Sequence, residues 1–334
     1  MARTAAQDLE RTFLWTTLVA GALTFVVVVL GAYVRLSDAG LGCPDWPGCY
    51  GHVAPPAHIE GVEAAKAWKE MVHRYAASTL GLLILALAAI AWWRRQEAGQ
   101  PVRLPLLLVP LVMLQGALGM WTVTLLLKPL VVTLHLFGGM TILSLLCLMA
   151  LRQTGWLAPK LAAPRPLRWL GHAALALLAV QLVLGAWVSS NYAAVACPDL
   201  PTCQGAWWPD ADFGEGFVLW RGLGIDYEGG VLDHPARVAI HLVHRLGAVV
   251  VAVVLGLLAI GTWRAGRRAA VREWRISGAL LLGALALQLG VAVLMVESAF
   301  PLPLATAHNL GAALLLLALT VNNSSLHGHD RVRS

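Results

Sequence analysis

The sequence predicts an all-α integral membrane protein with eight transmembrane helices, arranged as two tandem, pseudo-symmetric four-helix bundles. Three observations lead there. Of the 334 residues, 58% are apolar and 13% charged, against about 25% charged in soluble domains. Apolar runs recur at the roughly 20-residue length that crosses about 30 Å of hydrocarbon. The chain also repeats itself. Gly31-Ala-Tyr-Val, Cys43-Pro-Asp-Trp-Pro-Gly-Cys49, Glu70-Met-Val-His73-Arg74, Gln115-Gly and Thr133-Leu-His135 return as Gly185-Ala-Trp-Val, Cys197-Pro-Asp-Leu-Pro-Thr-Cys203, His241-Leu-Val-His244-Arg245, Gln288-Leu and Ala307-His308.

The spans fall near 12–34, 71–93, 104–126, 130–151, 168–190, 236–262, 275–297 and 302–322. The first is long enough to be retained. Asp8, Glu10 and the lack of a small-residue cleavage pattern argue against a cleaved leader. Spans three and four meet at Lys128-Pro129, and spans seven and eight at Pro301-Leu-Pro303. Proline is tolerated in a first helical turn, where its missing N–H would have no intrahelical partner, so both junctions read as tight hairpins. The repeat divides the chain into 1–155, with a long loop at 35–69, and 156–334, with a long loop at 191–235.

Charge sets the orientation. The N-terminus, 94–103, 152–168, 264–275 and the C-terminal tail hold most of the 24 Lys and Arg residues, and such residues accumulate on the cytoplasmic side. Both termini are therefore expected in the cytoplasm and both cysteine loops outside, in a bacterial cell membrane. The net charge of +6 reflects this topology and implies no nucleic-acid partner; the surrounding partner is membrane lipid.

A histidine recurs at a matching place in each even-numbered span: His73, His135, His244 and His308. At about 1.5 Å of rise per residue, His135 sits roughly 9 Å in from Pro129, and the other three share that depth. A lone intramembrane histidine can simply hydrogen-bond a neighbouring helix. Recurrence at four matched sites favours two ligand pairs, one per half. Zinc would want further Cys, Asp or Glu ligands, and beside the histidines only Glu70 is at hand. Haem needs axial imidazoles and an apolar slot, and both are available. Arg74 and Arg245 follow two of the histidines, with Arg35 and Arg237 at similar depth. Guanidinium binds carboxylate in a bidentate manner, so Arg74 and Arg245 are candidates for haem propionates, placed ahead of interfacial snorkelling because they recur in the repeat.

Glu70 breaks the repeat. It shares a helix face with His73, and the second copy has His241 there. A carboxyl in an apolar slot is suited to proton transfer, which makes the first half the reactive one and the second a redox site. Cys43 with Cys49 and Cys197 with Cys203 face an oxidising compartment and read as disulfides, with a redox-active pair as the alternative. Cys147 reads as a packing residue. His172 lacks a repeat partner, and His327 and His329 fall in a polar tail.

Together, Gly40-Leu-Gly-Cys43-Pro-Asp-Trp-Pro-Gly-Cys49, Glu70-x-x-His73-Arg74, His135, the second cysteine loop, His244-Arg245 and His308 resemble the haem A synthase family over essentially the whole chain. Leu36-Ser-Asp-Ala-Gly40 departs from that family's usual loop turn and leaves the ligands intact. The resemblance implies oxidation of the C8 methyl of haem O to a formyl group, giving haem A for cytochrome oxidase. It implies that His73 and His135 hold haem O with Glu70 beside the reacting carbon, and that His244 and His308 ligate a haem b cofactor. Partners on this reading are a haem O synthase (prenyltransferase), cytochrome oxidase assembly factors and a second copy of the chain. The competing readings are a diheme b-type electron-transfer cytochrome, a membrane thiol-disulfide oxidoreductase and a haem-delivery factor.

Overall fold

The computed structural model describes residues 2–97 and 99–328, with side chains from Glu10 onward. His329 and the arginines of the C-terminal tail lie outside the described residues, as do the side chains of Arg3 and Asp8. Among the described residues, eight helices are long and apolar enough to cross a membrane. They are α1 (Ala2–Leu36), α2 (Gly61–Trp93), α3 (Arg103–Thr124), α4 (Pro129–Thr154), α5 (Arg165–Ser190), α7 (His234–Arg268), α8 (Arg272–Glu297) and α9 (Leu302–Leu326). A single-turn helix, α6 (Phe213–Gly216), and a 3-10 turn at Ala194–Ala196 lie in the second long loop. Helices suit this role because hydrocarbon offers the backbone no hydrogen-bond partner. Buried hydroxyls follow the same logic: Thr17, Thr24 and Thr320 bond carbonyls one turn back at 2.8, 2.6 and 2.8 Å.

Helices α1 to α4 pack in a ring, α1 on α2, α2 on α3, α3 on α4 and α4 on α1; α5, α7, α8 and α9 do the same. The two rings join through α4 against α5 and α9, and α1 against α9. One apolar cluster ties α1–α4 through Phe13, Leu80, Ile84, Leu108 and Leu146. A larger one runs from Met140 and Leu143 into α5, α7, α8 and α9. Among these apolar contacts the rings share hydroxyl pairs, Ser144 with Thr320 at 2.9 Å and Thr133 with Ser190 at 3.3 Å.

Both expected hairpins are present, and each is tighter than an ordinary helix end. After α3, Leu126 and Leu127 adopt φ of 50° and 59°, and after α8, Ala299 and Phe300 adopt 57° and 59°. Left-handed geometry is uncommon for residues with a Cβ. Hydrogen bonds back into the preceding helix hold it, from Leu127 N–H to Thr122 O and from Phe300 N–H to Met295 O, both 2.8 Å. These hairpins set His135 and His308 at matching distances from a loop end. At the opposite end α9 outruns its expected limit, continuing to the fully buried Leu326, so His327 caps this helix and its ring lies 5.1 Å from that of His172.

Candidate functional site

Each long loop is built round a disulfide, Cys43–Cys49 and Cys197–Cys203, and each is closed by an isolated antiparallel bridge, Cys49 with His52 and Cys203 with Ala206. The aspartate of each Cys-Pro-Asp stretch braces the far side of the turn. Asp45 accepts the N–H of Tyr50 at 2.6 Å and of Gly51 at 2.8 Å. Asp199 accepts the N–H of Gln204 at 2.5 Å and of Gly205 at 3.0 Å. A hydroxyl hydrogen bond from Thr202 and those amides hold the Asp199 carboxyl below the usual carboxylate range. Neither aspartate was singled out as functional from the sequence, although both copies carry one.

An arginine from the following helix fastens each loop. Arg74 donates through Nη1 to the carbonyls of Asp45 (2.9 Å), Pro47 (3.3 Å) and Gly48 (2.5 Å). Arg245 donates to Asp199 and Thr202 through Nη1 and to Cys197 through Nη2, all at 2.8 Å. The remaining face of each guanidinium turns to the residue one helical turn earlier. Arg74 Nη2 pairs with Glu70, and Arg245 Nε donates to His241 at 3.2 Å. Glu70 is buried at 4% exposure, and its second oxygen accepts the Cys43 N–H at 2.9 Å. The carboxylate is thus held between the loop and its clasp.

Glu70, His73, Arg74 and His135 line one cavity of about 740 Å³, with Arg35, Gln115 and Trp46 in the same wall and Ala186, Ser189 and Asn309 contributed by the other ring. The wall is mainly apolar, as ligand cavities usually are. The His73 and His135 rings lie edge-on to one another, 82° between planes, with centroids 6.5 Å apart. Two imidazoles bonded to one metal at about 2 Å hold their centres roughly 6 Å apart, close to the spacing of this pair. Neither Nδ1 has a hydrogen-bond partner. Glycines make the approach close: a Cβ at Gly31 would lie 2.8 Å from His73 Cε1, and one at Gly119 3.3 Å from His135 Cε1. Among the described residues no group of three or more His, Cys, Asp or Glu converges as a zinc site would require.

In the second ring His244 packs on Gly185, where a Cβ would lie 3.1 Å from its Cε1. Gln181 spans from α5 to the His244 Nδ1 at 3.0 Å and its carbonyl at 2.9 Å. Gln288 on α8 lies 3.3 Å from both ring nitrogens of His308. Gln288 and Gln115 belong to the repeat pattern, whereas Gln181 escaped notice because its counterpart in the first copy is Val27. Cys147 is a free thiol inside α4.

A family model described as "Cytochrome oxidase assembly protein" matches residues 13–320. Among curated proteins, one from Shewanella oneidensis named heme A synthase is 42% identical over 92% of this chain and 95% of that protein. Proteins of the same name from Rhizorhabdus wittichii and a Caulobacter species are 29% and 28% identical, each over nine-tenths or more of both chains. With a family match running from α1 to α9 and a relative of this similarity over nearly its full length, the chain belongs to the COX15-CtaA family of cytochrome oxidase assembly proteins.

Proposed function

We propose that this protein is a haem A synthase, an oxidoreductase that converts the C8 methyl of haem O to a formyl group. The observation that carries the reading is the first-ring cavity, where the His73 and His135 rings lie 6.5 Å apart, near the spacing of two imidazoles on one iron, with Glu70 in the same wall. The name shared by the bacterial relatives supports it. Residues 1–155 form the substrate half on this reading, and 156–334 the half that holds a haem b through His244 and His308. The cysteine loops face the outside and the termini the cytoplasm.

His73 and His135 would hold the substrate haem. Glu70, fixed by Arg74 and the Cys43 N–H, brings a carboxylate to the cavity wall beside the reacting carbon. Trp46 and the disulfide loop, pinned by Arg74, cover the site and limit water entry. A haem b, when bound, supplies one-electron redox chemistry. Gln181 and Gln288 orient its ligands, and outer hydrogen bonds of this kind tune a bound metal.

The test is pigment content in histidine variants of the full-length protein. His135→Ala is expected to keep haem b and lose haem O and haem A, and His308→Ala to lose haem b. Loss of haem b from His135→Ala with retention in His308→Ala would reverse the assignment.

A further inference from the structure

Two cations line the first cavity, Arg35 and Arg74, and their environments differ. Arg74 is spent, with Nη1 shared among three loop carbonyls and Nη2 on Glu70, so its charge is balanced within the protein. Arg35, at the end of α1, has a side chain only 12% exposed, yet its Nε has no hydrogen-bond partner. Its Nη2 donates across the ring interface to the Ser189 carbonyl at 2.7 Å. The Tyr192 ring lies 4.0 Å from the guanidinium carbon. The nearest carboxylate, Asp38, is 3.9 Å away and 54% exposed, a pairing weakened by solvent. A buried donor without a partner is costly, and a ligand oxygen removes that cost. Arg168 and Arg237 also have an unpartnered Nε, but neither lines this cavity.

Resting on the haem O reading, we infer that Arg35, rather than Arg74, receives a carboxylate of the substrate. It acts as a positioning and specificity residue that selects a tetrapyrrole with free propionates. The guanidinium fork of Arg35 presents Nε together with a terminal nitrogen, the geometry that matches carboxylate in a bidentate manner. The Tyr192 ring and the Ser189 carbonyl hold the guanidinium in place. Because Ser189 belongs to the second ring, the substrate's acidic edge then sits where the rings meet.

The experiment titrates full-length protein, purified from cells that make no haem O, with haem O and with its dimethyl ester, following the absorption change on binding. Wild type is expected to prefer the free acid by at least about tenfold, the lower end for charge-assisted bonds. Arg35→Gln should bind both forms alike, and Arg35→Lys, which keeps the charge without the fork, should fall between them. If Arg35→Gln does not fold, the Lys variant alone decides, since a ratio equal to wild type overturns the inference. A wild-type ratio of one, or an unchanged ratio in Arg35→Gln, overturns it too. Turnover is not the readout, so a protein that binds haem O selectively without forming haem A would refute the proposed function and leave Arg35's role standing.

Discussion

Replacing Arg245 with glutamine should loosen the second cysteine loop while leaving the first unchanged. Arg245 makes three hydrogen bonds of 2.8 Å to the carbonyls of Cys197, Asp199 and Thr202. Charge-assisted bonds are worth about 1.5–3 kcal/mol each. The loop is partly exposed, so water replaces some of what is lost, and such terms do not add fully. A loss of about 2–4 kcal/mol is the reasonable scale, equivalent to roughly 30- to 1,000-fold in the population of the open loop. The assay is hydrogen exchange read by mass spectrometry at the amides of Cys203, Gln204, Gly205 and Ala206, which are hydrogen-bonded in the closed loop. Acceleration below about threefold, or equal acceleration at 43–52, would refute the view of this arginine as the loop's clasp.

Other outcomes follow from the same geometry. Gly31→Ala puts a methyl 2.8 Å from His73 Cε1, closer than the roughly 3.5 Å at which carbons pack. It should cut bound haem O at least about tenfold while haem b is retained, as read from extracted pigments; unchanged haem O would mean the ring has room to move. Cys43→Ser or Cys49→Ser should lower haem A formation more than Cys197→Ser or Cys203→Ser, because the Cys43–Cys49 disulfide fixes the loop whose Cys43 N–H holds Glu70; equal effects would make both loops purely structural. The Asp199 carboxyl titrates below its ordinary value in the folded loop, so its contribution is present above about pH 3.9 and lost as pH falls through the lower folded value. Reduction of Cys197–Cys203 by a water-soluble phosphine should speed up only in that acid range, and Asp199→Asn should abolish the step.

Span length, the hairpins at Pro129 and Pro301 and the four histidines were legible because each rests on local chemistry: hydrocarbon thickness, a missing N–H, a polar ring in an apolar run. The pairing of His73 with His135 was legible from the repeat. What Arg74 and Arg245 touch was not. Beside a histidine in sequence, each read as a propionate partner ahead of a snorkelling cation, and only the folded loop brings its carbonyls to them. Glu70 was visible as the break in the repeat. Its hydrogen bond to Cys43, 27 residues away, depends on how closely the loop backbone packs on α2: a Cβ at Gly42 would lie 2.6 Å from the Lys66 carbonyl carbon. The bare Nε of Arg35 depends likewise on the meeting of the two rings, which no single motif encodes.

The central claim is that this chain oxidises haem O in its first ring with Glu70 at the reacting carbon. The most direct measurement is chromatography of the haems extracted from full-length protein expressed with a haem O source, comparing wild type with Glu70→Ala. Haem A in the wild type, with haem O or its hydroxylated form accumulating in the variant, is the expected result. Haem A formed at the normal rate by Glu70→Ala, or haem b alone in both proteins, would contradict it.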